Sequence, residues 1–194
     1  MKILFAILLF PLAMAAQPKV NSGLTHGASL LFKNTTSKLS VAEKNDIYRQ
    51  LKIMLSKNKK QFVDVDDKDE DAPYGEADVY PTDLNKDGIE EICVILYNQN
   101  VYGNTGSGIF LFIKQAAGKY QEVLSLPAAD LTPLSTQNLG YPDLLIGVPG
   151  LNFPVWRWNC KNYALYKTIA ESQLPKNAKG IADVSKTYQA AIKN

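Results

Sequence analysis

From Ala77 onward the chain is a series of short β-rich runs cut by turn residues, and this texture limits the fold more than any other feature. Strands are expected at 77–80, 91–97, 108–114, 120–126, 143–148, 155–158 and 163–168, with hairpin turns at Ala116-Ala-Gly-Lys119 and Asn159-Cys-Lys-Asn162. A helix is expected on either side. Ser40-Val-Ala-Glu43 is a capping box opening a helix over 40–57, with Val41, Ile47, Leu51, Met54 and Leu55 on one apolar stripe. A second amphipathic helix is expected over 181–193, with Ile181, Val184, Tyr188 and Ile192 on one side. The pattern predicts an α+β fold, mostly antiparallel β-sheet or sandwich, with an N-terminal and a C-terminal helix.

The N-terminus reads as an export signal. Met1-Lys2 supplies one charge, residues 3–9 are apolar, and Ala13-Met-Ala15-Ala16 is a small-x-small cleavage site. The apolar run 3–16 has 16 − 3 + 1 = 14 residues, short of the roughly 20 that span a bilayer. The expected organisation is a signal peptide at 1–16, a flexible leader at 17–38 and one globular domain at 39–194. The protein is then secreted or periplasmic, with no transmembrane segment after cleavage. Removing Lys2 takes the formal charge from +2 to +1, which argues against nucleic acid as a partner. Export makes a disulfide between Cys93 and Cys160 possible. It would close a loop of 160 − 93 = 67 residues, worth roughly 4 kcal/mol, but sequence leaves open whether the two meet.

Asp83-Leu-Asn85-Lys-Asp87-Gly88-Ile-Glu90-Glu91 carries the most chemistry. Oxygen side chains fall at its positions 1, 3, 5 and 9, a glycine follows position 5, and a strand begins at once. Calcium takes six to eight oxygens, carboxylates and backbone carbonyls among them. Asp83, Asn85, Asp87 and Glu91 are the candidate side-chain ligands, with the Ile89 carbonyl between them. A bare strand-entry turn also accounts for Asp87-Gly88. Position 12 is Val94, not the Glu of an EF-hand, and no helix follows.

The stretch resembles the loop of FG-GAP and VCBS-type repeats, whose D-x-[DN]-x-D-G-x-x-[DE] cage precedes a β-strand in secreted and surface proteins. Glu91 is one methylene longer than the Asp that usually ends the family's loop. The outline recurs 135 − 83 = 52 residues later in Ser135-Thr-Gln137-Asn-Leu139-Gly140-Tyr-Pro-Asp143, where only Asp143 keeps a charge. Two related β-units follow, the second with a degenerate loop. The resemblance implies a bound calcium that stiffens the first loop.

Val63 to Asp71 holds six carboxylates in nine residues and reads as a solvated loop. His26, the only histidine, lies in the leader, so neither Ser107 nor Cys93 has a base to complete a nucleophilic set. Trp156 and Trp158 share a strand face, and with Tyr102 they are candidate ligand-binding residues, although a core role is open to them too. The expected function is a non-enzymatic exported domain with a calcium-stabilised loop, binding a protein or glycan. A hydrolase using loop carboxylates and a structural component of an envelope assembly are the alternatives.

Overall fold

The computed structural model describes residues 23–66, 73–147 and 153–193. The proposed signal, the acidic residues 67–71 and the strand end at Val148 lie outside the described residues. The protein is α+β, with ten antiparallel strands among the described residues and helices on either side of the main sheets.

The segment expected to be a flexible leader is instead part of the fold from residue 23 onward. Helix α1 (His26–Leu31) is capped by the Thr25 hydroxyl, which accepts from the Ala28 N–H. Gly27 lies against the Tyr48 ring, where no Cβ has room. Ala28, Leu31 and Phe32 are buried. A polar composition concealed this, because only a few apolar side chains do the docking.

Helix α2 (Val41–Gln50) starts with the expected capping box: Ser40 Oγ accepts from Glu43 N–H, and a Glu43 carboxylate oxygen accepts from Ser40 N–H. It ends near Gln50, not at 57. Lys52 turns to φ 53°, and the next residues form β1 (Ile53–Leu55), paired with β2 (Phe62–Asp64). Met54 and Leu55 fit the helical stripe, but pairing to β2 wins. Residues 56–61 form the hairpin connection.

Two four-stranded meanders follow. The first joins β3 (Ala77–Thr82), β4 (Glu91–Tyr97), β5 (Ser107–Lys114) and β6 (Tyr120–Pro127) in that order. The second joins β7 (Asp130–Asn138), β8 (Tyr141–Gly147), β9 (Phe153–Trp158) and β10 (Tyr163–Ile169). The chain turns the corner at Ala128-Ala129: Ala128 N–H bonds Ser107 in the first sheet, and Ala129 N–H bonds Gly147 in the second.

Ile92, Val94 and Leu96 of β4 pack with α1, α2 and the β1–β2 hairpin, while Cys93 and Ile95 pack between the two sheets. Burial on both faces is why β4 is almost uninterruptedly apolar instead of alternating. Helix α4 (Ile181–Ile192) packs against β3 and β7, and α3 (Gln99–Tyr102) is a single turn in the β4–β5 connection. Among the described residues no helix is long and apolar enough to cross a membrane.

Candidate functional site

The loop 83–90 connects β3 to β4 and is held by its own polar side chains. Asp83 Oδ2 accepts from Gly88 N–H at 3.0 Å, Asn85 Oδ1 from Asp87 N–H at 3.0 Å, and Asp87 Oδ1 from Ile89 N–H at 2.8 Å. Lys86 and Gly88 sit at φ 62° and 84°, and the second needs glycine's freedom. Glu91, the first residue of β4, is 1 % exposed, and its Oε2 accepts from Leu84 N–H at 2.6 Å. Its Oε1 accepts from the Tyr141 hydroxyl at 3.3 Å, which links the loop to the second sheet.

The electrostatics of this set are unbalanced. Burial pushes the Glu91 carboxyl up to about 8, and the negative charges of Asp87 and Asp83 add to the rise, against the pull of the Leu84 N–H. The Oδ1 of Asp83 is buried without a hydrogen-bond partner. Among the described residues no three Asp, Glu, His or Cys side chains stand in metal-ligating geometry as they are. Asp83, Asp87 and Glu91 are each turned onto a backbone N–H through one oxygen. A carboxylate bonded in this way keeps a second oxygen for another partner. In Asp83 that oxygen has none.

The second unit meets the same problem differently. Asp143 lies 143 − 91 = 52 residues after Glu91, the repeat spacing, and is likewise 1 % exposed. It is gripped by Arg157, whose Nε and Nη2 reach its two oxygens at 2.8 and 2.7 Å, and by the Thr136 hydroxyl at 2.7 Å. The guanidinium fork holds the Asp143 carboxyl below the usual carboxylate range. Arg157 in turn stacks on Tyr166, 3.6 Å from the ring centroid.

Cross-strand register identifies the corresponding position in the first unit. Ile92 pairs with Phe112 as Leu144 pairs with Trp156, so the neighbouring positions set Glu91 opposite Ile113 and Asp143 opposite Arg157. The first unit has a buried isoleucine where the second has a cation. The repeat's second loop is also shorter than its sequence suggests. Ser135 and Gln137 belong to β7, and the connection is Leu139-Gly140 at φ 51° and 87°, a two-residue turn with both residues left-handed.

The other candidate residues separate. Trp158 is 6 % exposed, with its ring beside Tyr141 and Tyr163 at 5.1 and 5.6 Å. Trp156 is half-buried on the same inter-sheet side, and its indole N–H is buried without a partner. Tyr102 packs on Tyr74 and over Gly108, in the helical-layer core. The three form no common platform. Cys93 and Cys160 are both free: Cys93 is buried mid-strand, with its thiol pushed up by burial, and Cys160 is exposed in the β9–β10 turn. No disulfide joins them.

Residues that sequence reading passed over complete the picture. Tyr141, Thr136 and Arg157 carry no signal by type, but 52-residue alignment of the units places Asp143 on Glu91, and strand pairing then finds Arg157. Glu90 is 2 % exposed and binds residues 37 and 38 on the opposite side of β4 from Glu91. A scan against protein-family models finds no match to the chain, and comparisons with curated proteins and with solved structures find none either.

Proposed function

We propose that this is an exported, non-enzymatic binding domain whose loop Asp83–Glu91 takes up a calcium ion and which engages a protein or glycan partner. Asp83, Asn85, Asp87 and Glu91 would supply side-chain oxygens and Ile89 its carbonyl. The ion would supply the positive charge that Arg157 provides in the second unit, and would stiffen the loop.

The observation that carries the reading is the contrast between the two buried carboxylates. Asp143 has a guanidinium on both oxygens. Glu91 has two further acids near it, an isoleucine across the strand, and beside it an Asp83 oxygen that is buried with no partner. A strand-entry turn alone does not require three carboxylates to be brought together at that cost. Secretion rests on the N-terminal signal.

The partner would engage β10. This strand lies at the edge of its sheet, and Leu165 and Tyr166 are 59 % and 50 % exposed there. An apolar edge of this kind is a template for another chain.

Titrating calcium into chelator-treated protein tests the ion. The melting temperature should rise, and Asp83→Ala or Asp87→Ala should remove the rise. An unchanged melting curve at millimolar calcium would leave the loop as a turn.

A further inference from the structure

Glu90 stands between two of the proposed ligands, the Ile89 carbonyl and the Glu91 side chain, but faces the other way. Strand alternation puts Glu91 with Cys93 toward the second sheet and Glu90 with Ile92 toward the helical layer. There the Glu90 carboxylate accepts from the Ser37 hydroxyl and from Lys38 N–H, both at 2.8 Å. The Glu90 carbonyl accepts from the Tyr120 hydroxyl at 2.9 Å. The two carboxylate bonds tether the arm that joins α1 to α2. The arm's other ties include a Thr36 N–H bond to Gln189 Oε1 in α4 at 2.8 Å, the Lys38 ammonium 5.7 Å from the Tyr188 ring centre in α4, and a buried Leu39 side chain.

A cavity of about 160 Å³ is lined by Gly88 and Ile89 of the loop, Lys38 and Leu39 of the arm, and Glu90 and Tyr120. Glu90 is bonded directly to the arm and adjoins the loop's ligands in the chain, while α4 touches the arm separately through Gln189 on Thr36 and Tyr188 beside Lys38.

We propose that the loop and the arm form one ion-responsive unit: filling the Asp83–Glu91 site fixes Glu90 and fastens residues 36–39, and emptying it releases them. The inference rests on the cation reading above. Coordination at Ile89 and Glu91 would immobilise the backbone on both sides of Glu90, which points its carboxylate at fixed targets. Without the ion, the loop's repelling carboxylates can separate, and Glu90 shifts with them. Release of the arm would lift Leu39 from the helical-layer core and bare apolar surface there. Ion concentration would thus control how firmly the N-terminal layer sits on the first sheet.

Hydrogen exchange read by mass spectrometry on the full chain, with chelator and with millimolar calcium, tests this. Calcium should slow exchange about tenfold both in the loop (amides of Leu84, Gly88 and Ile89) and in the arm (amides of Thr36, Lys38 and Leu39). Glu90→Ala should abolish the arm's response and leave the loop's intact. If that variant does not fold, Ser37→Ala removes one of the two tethers and should shrink the arm's response alone. Slowing in the wild-type loop with none in the arm overturns the coupling and leaves the cation reading standing. Slowing in neither overturns both.

Discussion

Replacing Glu91 with glutamine separates a cation site from a simple turn, because glutamine keeps the oxygen that accepts from Leu84 N–H and removes the charge. In metal-free protein the Glu91 carboxyl titrates near 8, against 4.5 for an ordinary glutamate. A group whose pKa is higher in the folded state binds its proton more tightly there. Its favourable contribution is complete below about 4.5 and is lost as pH climbs through about 8. The full difference corresponds to about 5 kcal/mol. Relaxation and water entry reduce what survives to roughly 2–3 kcal/mol, or about 4–12 °C in Tm for a chain of this size.

Thermal unfolding followed by circular dichroism from pH 5 to 9 reads this directly. In chelator, the wild type should lose stability over that range relative to Glu91→Gln. Calcium holds the carboxylate ionised, so its stabilisation of the wild type should grow with pH across the same window and be lost in the variant. Parallel pH profiles for the two proteins in chelator would refute the account of Glu91. Equal stabilisation of both by calcium would refute its role as a ligand.

Other expectations follow from the same geometry. Arg157→Met should lower Tm by stranding the buried Asp143 carboxylate, and Arg157→Lys should restore only part of the loss, since an ammonium cannot fork onto both oxygens. Gly88→Ala and Gly140→Ala should each cost about 1 kcal/mol in chemical denaturation, because both residues sit at positive φ with open space around them, so backbone strain alone is at work. A thiol reagent should label Cys160 in the native protein and Cys93 only on unfolding, as the first is exposed and the second buried. Phe32→Ala should destabilise by about 3 kcal/mol if residues before 39 belong to the core, and by almost nothing if they are a loose leader.

The local signals were legible for particular reasons. The capping box at Ser40, the strand over 91–97, the turn at Asn159 and the final helix depend on short-range hydrogen bonding and periodicity, and the structure keeps each of them. The repeat spacing was legible too, because Gly140 and Asp143 preserve the positions of Gly88 and Glu91. The edge strand β7 was missed. Its Asp130-Leu-Thr-Pro-Leu-Ser sequence has no clean alternation and contains a proline, which weakens a strand signal. The short strand at 53–55 was missed because Met54 and Leu55 satisfy a helical stripe equally well.

Sequence by itself determined the strands β3 to β6 and β8 to β10 and the acidic loop ahead of β4, since each rests on residues within a few positions of one another. Tertiary structure decided what those residues meet. It put Arg157 on Asp143 and Ile113 opposite Glu91, drew Trp158 into the core, kept Cys93 from Cys160, and fastened Ser37 and Lys38 to Glu90. These outcomes depend on which strand lies beside which and which face turns inward. Both are fixed by the joint burial of two apolar layers around the first sheet, a property of the whole chain and not of any local stretch of it.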